Sequence, residues 1–110
     1  MSFPIQLAFH RMERSEALDQ AIRDRCERLN RFHPGITSVH VAVTQETRHS
    51  QKGRLFNVKL DVHVKGKSFA ITQQAAEDPF VAARDAFDAA TRLLGSEIDT
   101  TRGYVKQHPG

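Results

Sequence analysis

Apolar and polar residues alternate from the start of the chain: Phe3, Ile5, Leu7 and Phe9 share one side, with Pro4, Gln6, Ala8 and His10 between them. A period of two predicts a strand with one buried face. The period then lengthens. Leu18, Ile22, Cys26 and Leu29 recur at helical spacing behind Ser15, a natural N-cap, and Pro34-Gly35 ends the helix. Its acids lead (Glu16, Asp19) and its arginines trail (Arg28, Arg31), as the helix dipole favours. Val39, Val41 and Val43 return to alternation, and a polar loop over 45–53 follows. Phe56, Val58, Leu60, Val62 and Val64 then form a long third strand. Lys65-Gly66-Lys67 is a tight hairpin signal leading into a fourth strand over 68–72. Asp78-Pro79 pairs an N-cap with a first-turn proline, and Phe80, Ala83, Phe87, Ala90, Leu94 and Ile98 make one apolar stripe.

The order strand, helix, three strands, helix predicts an α+β fold. In it, two amphipathic helices pack on one face of a four-stranded sheet and the other face stays solvated. Residues 1–99 are expected to form a single domain, and the polar residues 100–110 a flexible tail. There is no internal repeat and no linker.

A chain of 110 residues suits one core, and 39% hydrophobic residues with seven Phe indicate a folded protein. Trp is absent and Tyr occurs once, so any stacking on nucleobases falls to Phe or His. A lone cysteine, Cys26, excludes an internal disulfide and fits a reducing compartment. The N-terminus has no long apolar run, so neither a signal peptide nor a membrane span is expected, and the cytoplasm is the expected location.

Charge changes this picture. The net charge of +3 is concentrated between Arg48 and Lys67, where Arg48, Lys52, Arg54, Lys59, Lys65 and Lys67 face a single acid, Asp61. Fields add where like charges cluster, so this segment suggests a surface for a polyanion, nucleic acid first among them. Edge-strand protection and solubility would also account for lysines in a hairpin. On the first helix, Arg25 and Arg28 fall on one flank, while Arg23 and Arg31 point nearer the exposed side. Dipole complementarity and local pairs such as Glu27–Arg31 are the ordinary explanation of such residues.

Other chemistry has little support. His10, His40 and His63 take the solvent side of separate strands, but no pair has metal-ligand spacing. Cys26 lies on the apolar stripe without a base beside it, and Asp85 and Asp88 belong to a solvated face. No phosphate loop, nucleophile elbow or paired-carboxylate pattern occurs. No enzymatic activity, cofactor or metal is expected.

The chain resembles the ribosome hibernation-promoting factor and ribosome-associated inhibitor family, bacterial proteins that silence ribosomes in stationary phase or stress. The likeness rests on Ser15-Glu16-Ala17-Leu18 after the opening strand, on Arg28-Leu29-Asn30-Arg31-Phe32, and on Ile36-Thr37-Ser38-Val39-His40-Val41. It continues through Asp61-Val62-His63-Val64-Lys65-Gly66-Lys67, through 78–88 from Asp78-Pro79-Phe80 onward, and through 102–108. Each motif is soft, but together they span roughly residues 4 to 108 in order.

The resemblance implies a β-α-β-β-β-α fold similar to a double-stranded-RNA-binding domain. It also implies binding to 30S rRNA in the mRNA–tRNA channel of the 30S subunit and the 70S ribosome. Translation would be blocked by steric occlusion, with RNA recognised by shape and backbone. The expected rRNA-binding residues are Arg23, Arg25, Arg28, Arg31, Lys52, Arg54, Lys65, Lys67, Arg84, Arg92, Arg102 and Lys106. The protein would be monomeric off the ribosome, with no membrane or small-molecule partner, and of the family's short form. The second helix departs from the family's lysine-rich pattern, carrying Asp85, Asp88 and Glu97 with only Arg84 and Arg92 as bases before the tail. That acidity motivates the alternative function: a protein-interaction adaptor or regulator with the same fold and weakened rRNA affinity.

Overall fold

The structure is a computed structural model that describes residues 3–47 and 54–107, of which 47, 54, 73–75 and 97–107 by their backbone only. The elements follow the predicted order: β1 (Ile5–His10), α1 (Glu16–Phe32), β2 (Ile36–Thr47), β3 (Arg54–Val64), β4 (Lys67–Ala76) and α2 (Pro79–Gln107). The strands lie in the order β1-β2-β3-β4. β1 runs parallel to β2 in a register that sets Ile5 beside Val39 and Phe9 beside Val43, while β2, β3 and β4 form an antiparallel meander. A parallel neighbour needs a crossover, and α1 supplies it.

Local chemistry explains the boundaries. Arg11 leaves β1 in the left-handed region, with φ 64°. Ser15 caps α1, its side chain accepting from the Leu18 N–H at 3.2 Å and its carbonyl from the Asp19 N–H at 2.9 Å. At the other end the His33 N–H donates to the Leu29 carbonyl at 2.8 Å, immediately before Pro34. Gly66 takes φ 76° in the β3–β4 turn, a conformation that a side chain would strain. Asp78 caps α2, its carboxylate accepting from the Phe80 N–H at 2.8 Å.

One sheet face meets the helices. Val39, Val41, Val43, Val58, Leu60, Val62 and Ile71 are buried there under Leu18, Ile22, Cys26 and Leu29 of α1. From α2 come Ala82, Ala83, Ala86, Phe87, Ala90 and Leu94, whose small alanines let the helix lie close to the strands. Burying a Leu or Ile such as Leu18, Ile22, Leu60 or Leu94 contributes about 1.5–3 kcal/mol each.

Two expectations need correction. Phe80 is exposed rather than part of the α2 stripe, because it stands in the first turn and the buried face is centred on Ala82, Ala86 and Ala90. The α2 backbone is helical from Pro79 to Gln107. Gly103 costs a helix only about 1 kcal/mol, and no proline interrupts the sequence before Pro109. β4 is longer than predicted, reaching Ala76.

Candidate nucleic-acid interface

Twelve cations were expected to bind RNA, and the fold distributes them unevenly. Asp19, almost buried in the first turn of α1, draws in two arginines from opposite sides: Arg14 at 2.5 Å and Arg23 at 2.6 Å. Arg23 is therefore already paired within the protein, although its side chain stays partly solvated. Arg84 leans on its neighbour Asp85 at 3.2 Å.

Arg25, Arg28 and Arg92 behave differently. Arg25 and Arg28 are three residues apart on α1 and Phe32 follows four later, so the three share one helix flank. α2 lies alongside and contributes Phe87, Asp88, Thr91 and Arg92. Between the helices is an open groove of about 360 Å³ bordered by all three arginines. Among the described residues none of them forms an ion pair or hydrogen bond, and Asp88 is the only acid at the groove. Arg31 is also exposed in the last turn of α1 and forms no ion pair among the described residues, so the expected Glu27–Arg31 pair does not form.

In its described part, residues 54–67, the basic segment is not one patch. Ile36 pairs with Val64, which puts the β3–β4 turn, with exposed Lys65 and Lys67, at the same end as the last turn of α1. Thr47 pairs with Arg54 at the other end of an 11-residue strand, roughly 30–35 Å away. Lys59 lies between them on the open sheet face. Lys52 lies outside the described residues. Arg102 and Lys106 belong to the last turns of α2.

The open sheet face carries a second shallow concavity, of about 350 Å³, where Gln6, His10, His40, Lys59 and Asp61 surround Ala8 and Ala42. His40 and His63 meet edge to face, with centroids 6.0 Å apart, and the His63 Nδ1 is 2.9 Å from the Ser68 Oγ. Among the described residues no group of three or more His, Cys, Asp or Glu is arranged to hold a metal ion. Cys26 is buried, and desolvation pushes its thiol from 9.0 up to about 12, Arg23 opposing the rise and Glu27 adding to it. A thiol that stays protonated at neutral pH is a poor nucleophile.

Sequence reasoning placed Arg25 and Arg28 on one flank but missed Phe32, whose ring is 67% exposed at the groove. The signal is the spacing Arg25-x-x-Arg28-x-x-x-Phe32, which sets the aromatic on the same helix flank as the two arginines.

The family model described as Sigma 54 modulation protein / S30EA ribosomal protein matches residues 5–100. The chain belongs to this family. Among solved structures, a ribosomal subunit interface protein from Coxiella burnetii superposes with a TM-score of 0.74 at 13% identity, covering 88% of this chain and 99% of that one. The N-terminal domain of Protein Y from Thermus thermophilus gives 0.63 at 16% identity, covering 83% and 94%. At such identities the likeness concerns the fold of S30EA proteins, which this chain shares. No curated protein sequence matches the chain. The family description is that of a ribosomal or modulating protein rather than an enzyme. No helix among the described residues is long and apolar enough to cross a membrane.

Proposed function

We propose that this S30EA-family protein is a ribosome hibernation factor that binds 30S rRNA and blocks translation in the cytoplasm under stress or in stationary phase. The observation that carries the reading is the set of arginines without partners among the described residues, Arg25, Arg28 and Arg92, around the groove between α1 and α2. Guanidinium groups held on two rigid helices suit phosphate oxygens, which they contact bidentately while displacing condensed counterions. Arg31 and Lys65 extend the same end of the molecule, and Arg102 and Lys106 continue it along α2. Bound in the mRNA–tRNA channel, the domain acts by occupying space and performs no bond chemistry.

The test is co-sedimentation of the purified protein with 30S and 70S particles at two salt concentrations, alongside translation of a reporter in a reconstituted system. Pelleting that weakens with salt, together with inhibited translation, is expected. Absence of pelleting by folded protein at low salt would overturn the reading. That outcome would favour the adaptor, which Asp88 at the groove and the internal engagement of Arg23 and Arg84 support.

A further inference from the structure

The arginine groove continues into a smaller recess of about 200 Å³ where Leu29, Phe32 and His33 of α1 and its cap face Thr91, Leu94 and Gly95 of α2. Phe32, Leu29 and Thr91 border both spaces, so a cationic trough opens directly onto an apolar shelf. Phosphates need only the trough. The shelf suits a flat apolar group attached to a phosphate, and an aromatic ring two-thirds exposed offers it a stacking surface. Gly95 borders the recess, and a Cβ built there meets nothing within 4 Å, so there is room for a larger side chain at this position. His33 also lines the recess, and its Nδ1 is buried without a hydrogen-bond partner among the described residues.

We infer that the shelf receives an unpaired nucleobase of the bound RNA, stacked on Phe32, while Arg25, Arg28 and Arg92 hold the adjoining phosphates. This rests on the rRNA-binding reading and adds to it a specific chemistry: the interface selects a single-stranded or extruded nucleotide over continuous duplex. A duplex offers phosphates to the trough but keeps its base faces stacked internally.

The chain lacks Trp, so Phe32→Trp places one fluorophore on the shelf. The full chain carrying it is titrated with a single-stranded RNA hexamer and with an abasic phosphodiester of equal length. Quenching by the hexamer and none by the abasic strand is expected. In the otherwise native chain, Gly95→Leu fills the recess while replacing a helical glycine with a better helix former, so its melting temperature should hold or rise. Its affinity for the hexamer should fall about tenfold, and its affinity for the abasic strand should not change. Equal binding of the two strands by the native chain, or undiminished hexamer binding by Gly95→Leu, overturns the shelf. Sedimentation of the native protein with 30S particles, run in parallel, separates the two readings. Pelleting with no base preference removes the shelf and leaves the ribosome reading standing. Quenching without pelleting does the reverse.

Discussion

In the first half of α1, Arg23 sits 2.6 Å from Asp19, and Arg14 reaches the same carboxylate from the preceding loop. In the second half, Arg25, Arg28 and Arg31 have no such partner among the described residues, and Arg25 and Arg28 border a groove. The four arginines of α1 are alike in composition, and only Arg31 stands in the last turn where the helix dipole favours a cation. What separates them is the distance to a carboxylate. A guanidinium already bonded to Asp19 through its Nε–H would have to give up or share that contact to grip a phosphate, whereas one bordered by open groove gives up only water. Counting positive charge along a chain therefore overstates a binding surface, and subtracting the ions already paired corrects the count.

Arg25→Glu combined with Arg28→Glu should lower association with 30S particles on the order of 100-fold, with an unchanged circular dichroism spectrum, because two phosphate contacts become repulsions. Arg23→Gln should change association little in the same pelleting assay. Equal losses from the two halves would erase the distinction. Asp19→Ala should instead cost about 1–2 kcal/mol of stability in a urea titration, a moderate figure because both arginines remain largely solvated. If that variant keeps its stability but loses ribosomes, the first half belongs to the interface.

Cys26 lies on the core side between the two halves and adds a pH arm. Its folded pKa of about 12 lies above the ordinary 9.0, so the native state keeps a proton that the unfolded chain releases in between. Stability should be fully present below pH 9 and decline from there toward pH 12. In denaturant titrations across that range, Cys26→Ala should flatten the decline. The smallest effect is expected from Asp88→Asn. Removing the groove's only acid should tighten ribosome association about 2–5-fold at low salt and leave stability alone.

Much of the fold was legible because period and punctuation agreed. The alternating valines of β2, Ser15 before α1, Gly66 between β3 and β4, and Asp78-Pro79 before α2 each pointed to the element that forms. Lengths were less legible. Nothing local distinguishes an edge strand that ends at Thr72 from one that pairs on to Ala76 opposite Phe56. The polar end of α2 lacks the apolar period that reveals a helix. Of the candidate site, Arg25 and Arg28 were readable from helical angle alone. Their meeting with Arg92 depends on how α2 lies beside α1, and the capture of Arg23 depends on Asp19 being drawn in against the core. Those are tertiary facts. The described part of the charge run, 54–67, misled in the opposite direction, since a strand extends its residues and carries Arg54 and Lys65 to opposite ends of the sheet.

The parallel pairing of β1 with β2 also orders events in time. Val64 and Lys67 are partners three positions apart, whereas Ile5 must find Val39, 34 positions along the chain. Closing the longer loop costs more entropy before any contact compensates it, so the β2–β3–β4 meander should assemble first and β1 dock last. Pulsed hydrogen exchange during refolding would show this as late protection of the β1 amides, and early protection there would refute it. During synthesis β1 emerges first yet has no partner until β2 has left the exit tunnel. Through that interval Ile5, Leu7 and Phe9 form an uncovered apolar edge, which makes the newborn chain a candidate for chaperone capture before it can reach any ribosome as a finished protein.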